Sequence, residues 1–139
     1  MNVAMRQCEN QVMQFFRHLD ECRYDALVAL LATDAIWRRQ GKVLKGPEQV
    51  QQALQQRSPT MKIAHIITNL VVDECETQRC TIRAYMLVIR HEPGVPVRGP
   101  CPLQGIESVR NVHIQMKQVA DRWLIAQLSA EDTIFAANA

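Results

Sequence analysis

The fold depends most on one stretch of the chain, Lys62-Ile63-Ala64-His65-Ile66-Ile67-Thr68-Asn69-Leu70-Val71-Val72. This stretch is rich in β-branched residues and bounded by polar ones, which is typical of a β-strand. Side chains alternate between the two faces of a strand, so one face is predicted to carry Ile63, His65, Ile67 and Asn69. His65 is then either a hydrogen-bonded core histidine or an acid/base group at the floor of a pocket.

Helices are predicted before this strand. Apolar residues recur three and four positions apart in three segments, which predicts helices at 4–18, from 24 to near 33, and at 46–57. The third helix opens with Gly46-Pro47, where proline is tolerated because its missing N–H would have no partner in the first turn.

Strands dominate the second half of the sequence. Alternating apolar and polar residues predict strands at 35–40, 62–72, 79–90, 106–119 and 122–129, with a short hairpin partner at 42–45. Residues 91–105 contain four prolines and three glycines and are expected to form a loop. Helices followed by a meander of strands indicate an α+β domain with a mostly antiparallel sheet. A bent sheet with helices in its concave side would leave a cavity between the two layers.

Composition narrows the class of protein. The 139 residues correspond to a single domain spanning 1–139. A formal net charge of +2, with no basic run longer than Arg38-Arg39, argues against a nucleic-acid partner. No apolar run reaches the ~18 residues that cross a bilayer, and the polar start does not resemble a signal peptide. We therefore expect a cytoplasmic protein without a membrane partner.

The cysteines and histidines do not form a recognisable metal or disulfide pattern. Five cysteines make an odd number with irregular spacing and no CxxC pair, so we expect reduced thiols, with Cys22 and Cys80 buried. The four histidines lack His-x-His or His-x3-His spacing. Neither a metal nor another cofactor is expected.

Several short motifs, in this order, give the chain a family resemblance. They are Phe16-Arg17-His18-Leu19-Asp20, Tyr24-Asp25-Ala26-Leu27, Leu31-Ala32-Thr33-Asp34-Ala35-Ile36-Trp37, Lys45-Gly46-Pro47-Glu48-Gln49-Val50, Ala64-His65-Ile66-Ile67-Thr68-Asn69 and Asp121-Arg122-Trp123-Leu124-Ile125. Together they resemble the NTF2-like superfamily, in particular its SnoaL-like, scytalone-dehydratase-like branch. The resemblance implies a cone, in which a curved, mostly antiparallel sheet wraps around three N-terminal helices, and a homodimer formed through the sheet.

The resemblance also implies a site. In the dehydratase branch an aspartate after the first helix and a histidine on the first long strand face the cavity, and Asp20 and His65 match those positions. A carboxylate bonded to one imidazole nitrogen fixes the tautomer, so that the other nitrogen can exchange protons. We therefore expect the two side chains to lie within hydrogen-bond reach. Further candidates for the cavity wall are Tyr24, Trp37, Ile67 and Tyr85.

The sequence departs from the dehydratase pattern in its tyrosines. Scytalone dehydratases hold a water molecule with two tyrosines. This chain has two tyrosines in all, Tyr24 and Tyr85, and neither is clearly placed in the cavity. Tyr24 also fits the apolar stripe of its helix, Trp37 could equally fill the core, and the face of Tyr85 is undetermined. Scytalone itself is therefore a poor guess for the substrate.

Two functions from different classes fit these observations. The first is a cofactor-independent lyase or isomerase that uses Asp20 and His65 on a small hydrophobic, oxygenated and possibly cyclic molecule. The second is a non-catalytic accessory or ligand-binding domain, which would resemble the small subunit of a ring-hydroxylating dioxygenase. In that case the dyad would be structural, and the loop at 91–105 would contact a partner.

Overall fold

The computed structural model describes residues 3–139 of the chain. Along the chain its elements are α1 (Val3–Asp20), α2 (Tyr24–Val28), β1 (Leu31–Arg39), β2 (Lys42–Lys45), α3 (Gly46–Leu54), β3 (Lys62–Cys75), β4 (Arg79–His91), β5 (Ser108–Val119) and β6 (Arg122–Ala136). The predicted α+β class is confirmed, as is the order of helices before long strands. The main differences in bounds are two: β1 starts at Leu31, where the second helix was expected to continue, and β6 extends to Ala136 through the expected tail.

The six strands form one curved sheet in the order β2-β1-β6-β5-β4-β3. Neighbouring strands are antiparallel except β1 and β6, which run parallel. The sheet is therefore mixed. The helices pack against strands across the sheet, α1 against β3 and β6 and α3 against β1 and β2.

The core lies between one face of this sheet and the helices. Alternate residues of β4 are buried, namely Cys80, Ile82, Ala84, Met86 and Val88. The inner stripe of α1 is equally buried and consists of Cys8, Val12, Phe15, Phe16 and Leu19. Burial of these apolar side chains on both sides is the main stabilising contribution. No helix among residues 3–139 is both long and apolar enough to cross a bilayer.

A β-bulge in β3 changes the predicted alternation. Asn69 adopts a left-handed backbone conformation, with φ 52°, and the pairing with β4 shifts between Thr68 and Val71. An extra residue in one strand reverses the faces of the residues that follow it, here up to the next register shift, between Val72 and Glu74. Leu70 therefore packs against the core and Asn69 is exposed. The prediction that Asn69 shares the face of His65 was wrong.

The cysteines also depart from expectation. Cys75 and Cys80 face each other across the β3–β4 hairpin and form a disulfide, whereas reduced thiols were expected. Cys80 is buried, as predicted. Cys22 is exposed rather than buried, because it lies in the turn between α1 and α2 with φ 58°, away from the apolar stripes of both helices.

Candidate active site

Two hydrogen bonds join Asp20, at the end of α1, to His65, on β3. The Nδ1 atom of His65 lies 2.5 Å from Oδ1 of Asp20, and the backbone N–H of His65 donates to Oδ2 at 2.8 Å. The expected contact is therefore present. An ionised carboxylate can only accept hydrogen bonds, so Nδ1 carries the proton. The two contacts fix both the position and the tautomer of the imidazole.

The second ring nitrogen of His65 remains available for chemistry. His65 lines a cavity, its side chain is only 10% exposed, and its ring packs on Phe16 with 5.7 Å between centroids. None of the described residues hydrogen-bonds to Nε2. Because Nδ1–H is held by Asp20, Nε2 is the nitrogen that can accept a proton from a bound molecule.

The cavity lies between the sheet and the helices and has a volume of about 540 Å³. This volume falls within the usual range for small-molecule sites. Its apolar lining consists of Phe16, Leu19, Trp37, Leu44, Ala53, Met61, Ile63, Met86, Val88, Leu128 and Ala130. Phe15 supports this lining from behind, in edge-to-face contact with both Phe16 and Trp37. The walls can therefore hold a flat apolar molecule next to His65.

The other predicted wall residues lie in different places. Trp37 lines the cavity. Ile67 shares the face of His65 but packs against the core. Tyr24 also packs against the core, and its hydroxyl accepts a hydrogen bond from Arg57 at 3.0 Å. The prediction that Tyr85 lines the cavity was wrong. Tyr85 is 41% exposed on the outer face of the sheet, because the even-numbered residues of β4 face the core.

Five cationic side chains also line the cavity, and the sequence reasoning missed them. They are Arg39, Lys42, Arg57, Arg90 and Arg110. The strand pattern contained a signal for three of them, because each arginine lies two residues from a buried apolar residue of its own strand. The pairs are Arg39 with Trp37, Arg90 with Val88, and Arg110 with Val112. Two-residue spacing places the arginine on the core-facing side of its strand. The sequence could not place these arginines in one cavity, because it does not show which face of the sheet is concave.

A family model for the SnoaL-like domain matches residues 4–129. The chain belongs to the SnoaL-like domain family. This SnoaL-like chain has no match among curated proteins. The family match confirms the resemblance to this branch of the NTF2-like superfamily.

Solved structures similar to this SnoaL-like chain include three proteins from Novosphingobium aromaticivorans. One is a provisionally assigned scytalone dehydratase, with TM-score 0.78, 18% identity, and 99% of this chain and 88% of that chain covered. An NTF2-like protein with a cystatin-like fold gives TM-score 0.77 and 16% identity, covering 97% and 85%. A provisionally assigned aromatic ring hydroxylase gives 0.74 and 13%, covering 93% and 87%. At such identities the likeness shows the fold, and the predicted cone is confirmed.

None of the other three histidines of the SnoaL-like domain lines the cavity that holds His65. His113 is exposed on the outer face of β5, and His91 ends β4. Nδ1 of His18 is buried without a hydrogen-bond partner. Residues 3–139 contain no group of three or more His, Cys, Asp or Glu side chains placed to hold a metal ion. His65, oriented by Asp20, is thus the histidine that can transfer protons inside the cavity.

Proposed function

We propose that this SnoaL-like protein is a cofactor-independent lyase or isomerase in which Asp20 and His65 transfer protons on a hydrophobic, oxygenated, cyclic substrate. One observation carries the proposal: Asp20 bonds both the backbone N–H and Nδ1 of His65, and Nε2 has no partner among the described residues. A histidine held in one tautomer, with its second ring nitrogen unpartnered beside a cavity, is placed to exchange a proton with a bound molecule.

The geometry supports a short reaction sequence. Nε2 of His65 takes a proton from a carbon next to a carbonyl, and the negative charge of Asp20 stabilises the imidazolium that forms. In a dehydration, the electron pair of the broken C–H bond forms a C=C bond. As this bond forms, the C–O bond of the hydroxyl on the neighbouring carbon breaks, and Nε2–H gives its proton to the leaving oxygen, which departs as water. In an isomerisation, the same proton returns to a different carbon.

The test begins with a thermal-shift screen of cyclic ketones and hydroxyketones, because a ligand that binds the folded state raises the melting temperature. Binders are then assayed for loss of water or for movement of a double bond. In His65→Gln, turnover should fall by roughly 10²–10⁴, while the melting temperature and ligand affinity stay close to wild type. A folded His65→Gln protein with full activity would end the catalytic proposal.

A non-catalytic accessory domain is the second candidate, and the loop between β4 and β5 favours it. Its side chains Val95, Leu103 and Ile106 are 50–75% exposed, as expected of a surface that contacts a partner. One structural neighbour is provisionally assigned as an aromatic ring hydroxylase. Co-purification with a large oxygenase subunit, lost when all three apolar residues are changed to serine, would support this candidate over the enzyme.

Two further expectations remain proposals. The first is a homodimer through the outer face of the sheet. We also place the protein in the cytoplasm, and the redox state of Cys75 and Cys80 tests this location, because disulfides are rare in reducing compartments. In that compartment the two thiols would be kept reduced and the disulfide between Cys75 and Cys80 would form only after extraction, so rapid alkylation of the source cells should trap both as free thiols. A disulfide that persists in the extract would contradict the proposed compartment.

A further inference from the structure

The cavity that holds His65 concentrates the positive charge of the protein. Its lining includes five cationic side chains and only two carboxylates, Glu92 and Glu107. The formal net charge of the entire chain is +2, so the surplus of positive charge in this one cavity exceeds that of the whole molecule. Such a concentration within a cleft attracts anions.

Most of these cations already have partners. Arg90 lies 3.2 Å from a carboxylate oxygen of Glu107. Arg57 donates to the backbone oxygen of Leu19 at 2.8 Å and to the hydroxyl of Tyr24 at 3.0 Å. Arg110 donates to the backbone oxygen of Ala130 at 3.2 Å. These contacts hold the guanidinium groups at the cavity wall, and only the contact of Arg90 neutralises charge.

Arg39 differs from them because none of the described residues accepts a hydrogen bond from its guanidinium. The group lies over the ring of Trp37, 4.8 Å from its centre, and the residue is half-buried. Burial, together with the charges of Arg57 and Arg90, lowers the pKa of Arg39. A half-buried cation without a counter-charge is costly, and a bound anion would offset that cost.

The apolar floor connects this cation with the dyad. Phe16 contacts the ring of His65, and Phe15 contacts both Phe16 and Trp37. The guanidinium of Arg39 lies over the ring of Trp37. His65 and Arg39 lie on strands near opposite edges of the sheet, β3 and β1. A ligand that spans the cavity can therefore touch both.

We propose that Arg39, assisted by Arg57, binds a carboxylate of the substrate while the apolar body of the same molecule lies along Phe16 and Trp37 toward His65. The substrate class is thus an aromatic or alicyclic carboxylic acid. The planar guanidinium favours a carboxylate because two N–H groups can donate to its two oxygens in parallel. This inference rests on the proposed function in placing the substrate of the dyad in this cavity.

The test compares ligands that differ only in charge. Benzoate, cinnamate and 2-naphthoate are titrated into the full chain by calorimetry, each beside its neutral amide. Wild type should bind at least one carboxylate roughly 10- to 100-fold more tightly than its amide, the usual effect of a charge-assisted hydrogen bond. In Arg39→Gln the difference should shrink to about threefold or less, and Arg39→Lys should restore part of it because the charge returns.

Arg38→Gln is the matched control, because Arg38 is the adjacent residue of β1 but does not line this cavity. Its preference for the carboxylate should equal that of wild type. The proposal is overturned if no carboxylate binds at millimolar concentration, if amides bind as well, or if Arg39→Gln keeps the full preference.

A failure of the catalytic proposal gives a different result. If Asp20 and His65 are not catalytic, His65→Gln leaves turnover unchanged, while the preference for carboxylates still depends on Arg39. If the anion site is wrong but the dyad is catalytic, His65→Gln loses turnover and Arg39→Gln leaves the preference intact.

Discussion

At the scale of single residues, Asp20 positions His65, and this role can be separated from a merely structural one. Asp20→Asn keeps the size of the side chain but removes the charge that would stabilise an imidazolium. Its amide can also donate to Nδ1 and so favour the wrong tautomer. We expect turnover of an identified substrate to fall roughly 10²-fold or more.

Residues that act as one unit lose activity non-additively. The double variant Asp20→Asn/His65→Gln should therefore be about as slow as His65→Gln alone, as measured by steady-state kinetics on all four proteins. Losses that multiply would show that Asp20 and His65 act independently and would contradict a catalytic dyad.

Cys8 gives a pH-dependent prediction at the same scale. Burial, and secondarily the charge of Glu9, raises the pKa of this thiol to about 11. In the unfolded chain a thiol releases its proton near pH ~8.5, so above that pH the unfolded state binds fewer protons than the folded one. The free energy of unfolding should fall as pH rises from about 9 to about 11.

Cys8→Ala isolates this effect because both proteins retain the other groups that titrate in that range. Urea unfolding at a series of pH values should show a steeper loss of stability above pH ~9 for wild type than for the variant. Parallel curves would mean that the Cys8 thiol is not protected by the fold.

At the scale of elements, Gly46 fixes the entry into α3. Its φ is +81°, and a Cβ atom added there would lie 3.3 Å from the backbone oxygen of Thr33. Gly46→Ala should therefore lower the free energy of unfolding by about 1–2 kcal/mol through backbone strain alone, with a further loss from the close contact.

Gly41→Ala is the matched comparison for Gly46. Gly41 has a similar φ of +75°, but no atom lies within 4 Å of its added Cβ. Urea denaturation of both variants should show the larger loss at Gly46. Equal losses would show that the approach of Thr33 is unimportant and that backbone conformation alone sets the cost.

The elements also show how far sequence patterns reach. Periodicity predicted β3 and placed His65 on its inner face, because that part of the strand is regular. It placed Asn69 wrongly, since the bulge depends on pairing with β4 and not on local propensity. Periodicity also could not choose a face for Tyr85, because alternation divides a strand into two sets of residues without saying which set faces the helices.

At the scale of the whole molecule, the order of elements predicted the α+β class, and the resemblance predicted the cone and the Asp20–His65 contact. The parallel pairing of β1 with β6 was not predicted, because it joins strands from opposite ends of the chain that no hairpin connects. The arginines of the cavity were missed for a related reason. Arg39, Arg90 and Arg110 lie on three different strands, and only the curvature of the sheet brings them to one cavity.

The outer face of the sheet is the surface on which a second copy is expected to bind. The helices cover the inner face only, so apolar side chains remain exposed on the outer one. Ile66, Val71 and Tyr85 are 41–46% exposed there, beside the polar side chains of His113 and Gln115 on β5. A patch of this kind is typical of an interface with an apolar centre and a polar rim.

Ile66→Asp/Tyr85→Asp places two charges on the expected interface, and burying unpaired charge there would oppose association. Wild type should sediment as a dimer at micromolar concentration and the double variant as a monomer. The matched control is Val95→Asp, in the loop between β4 and β5, where a 59% exposed side chain lies outside the sheet; it should remain dimeric. Because neither changed residue lines the cavity, the monomeric variant should still bind ligands, provided the site is complete within one chain. A monomeric wild type, or a dimer that the double variant leaves intact, would contradict this interface.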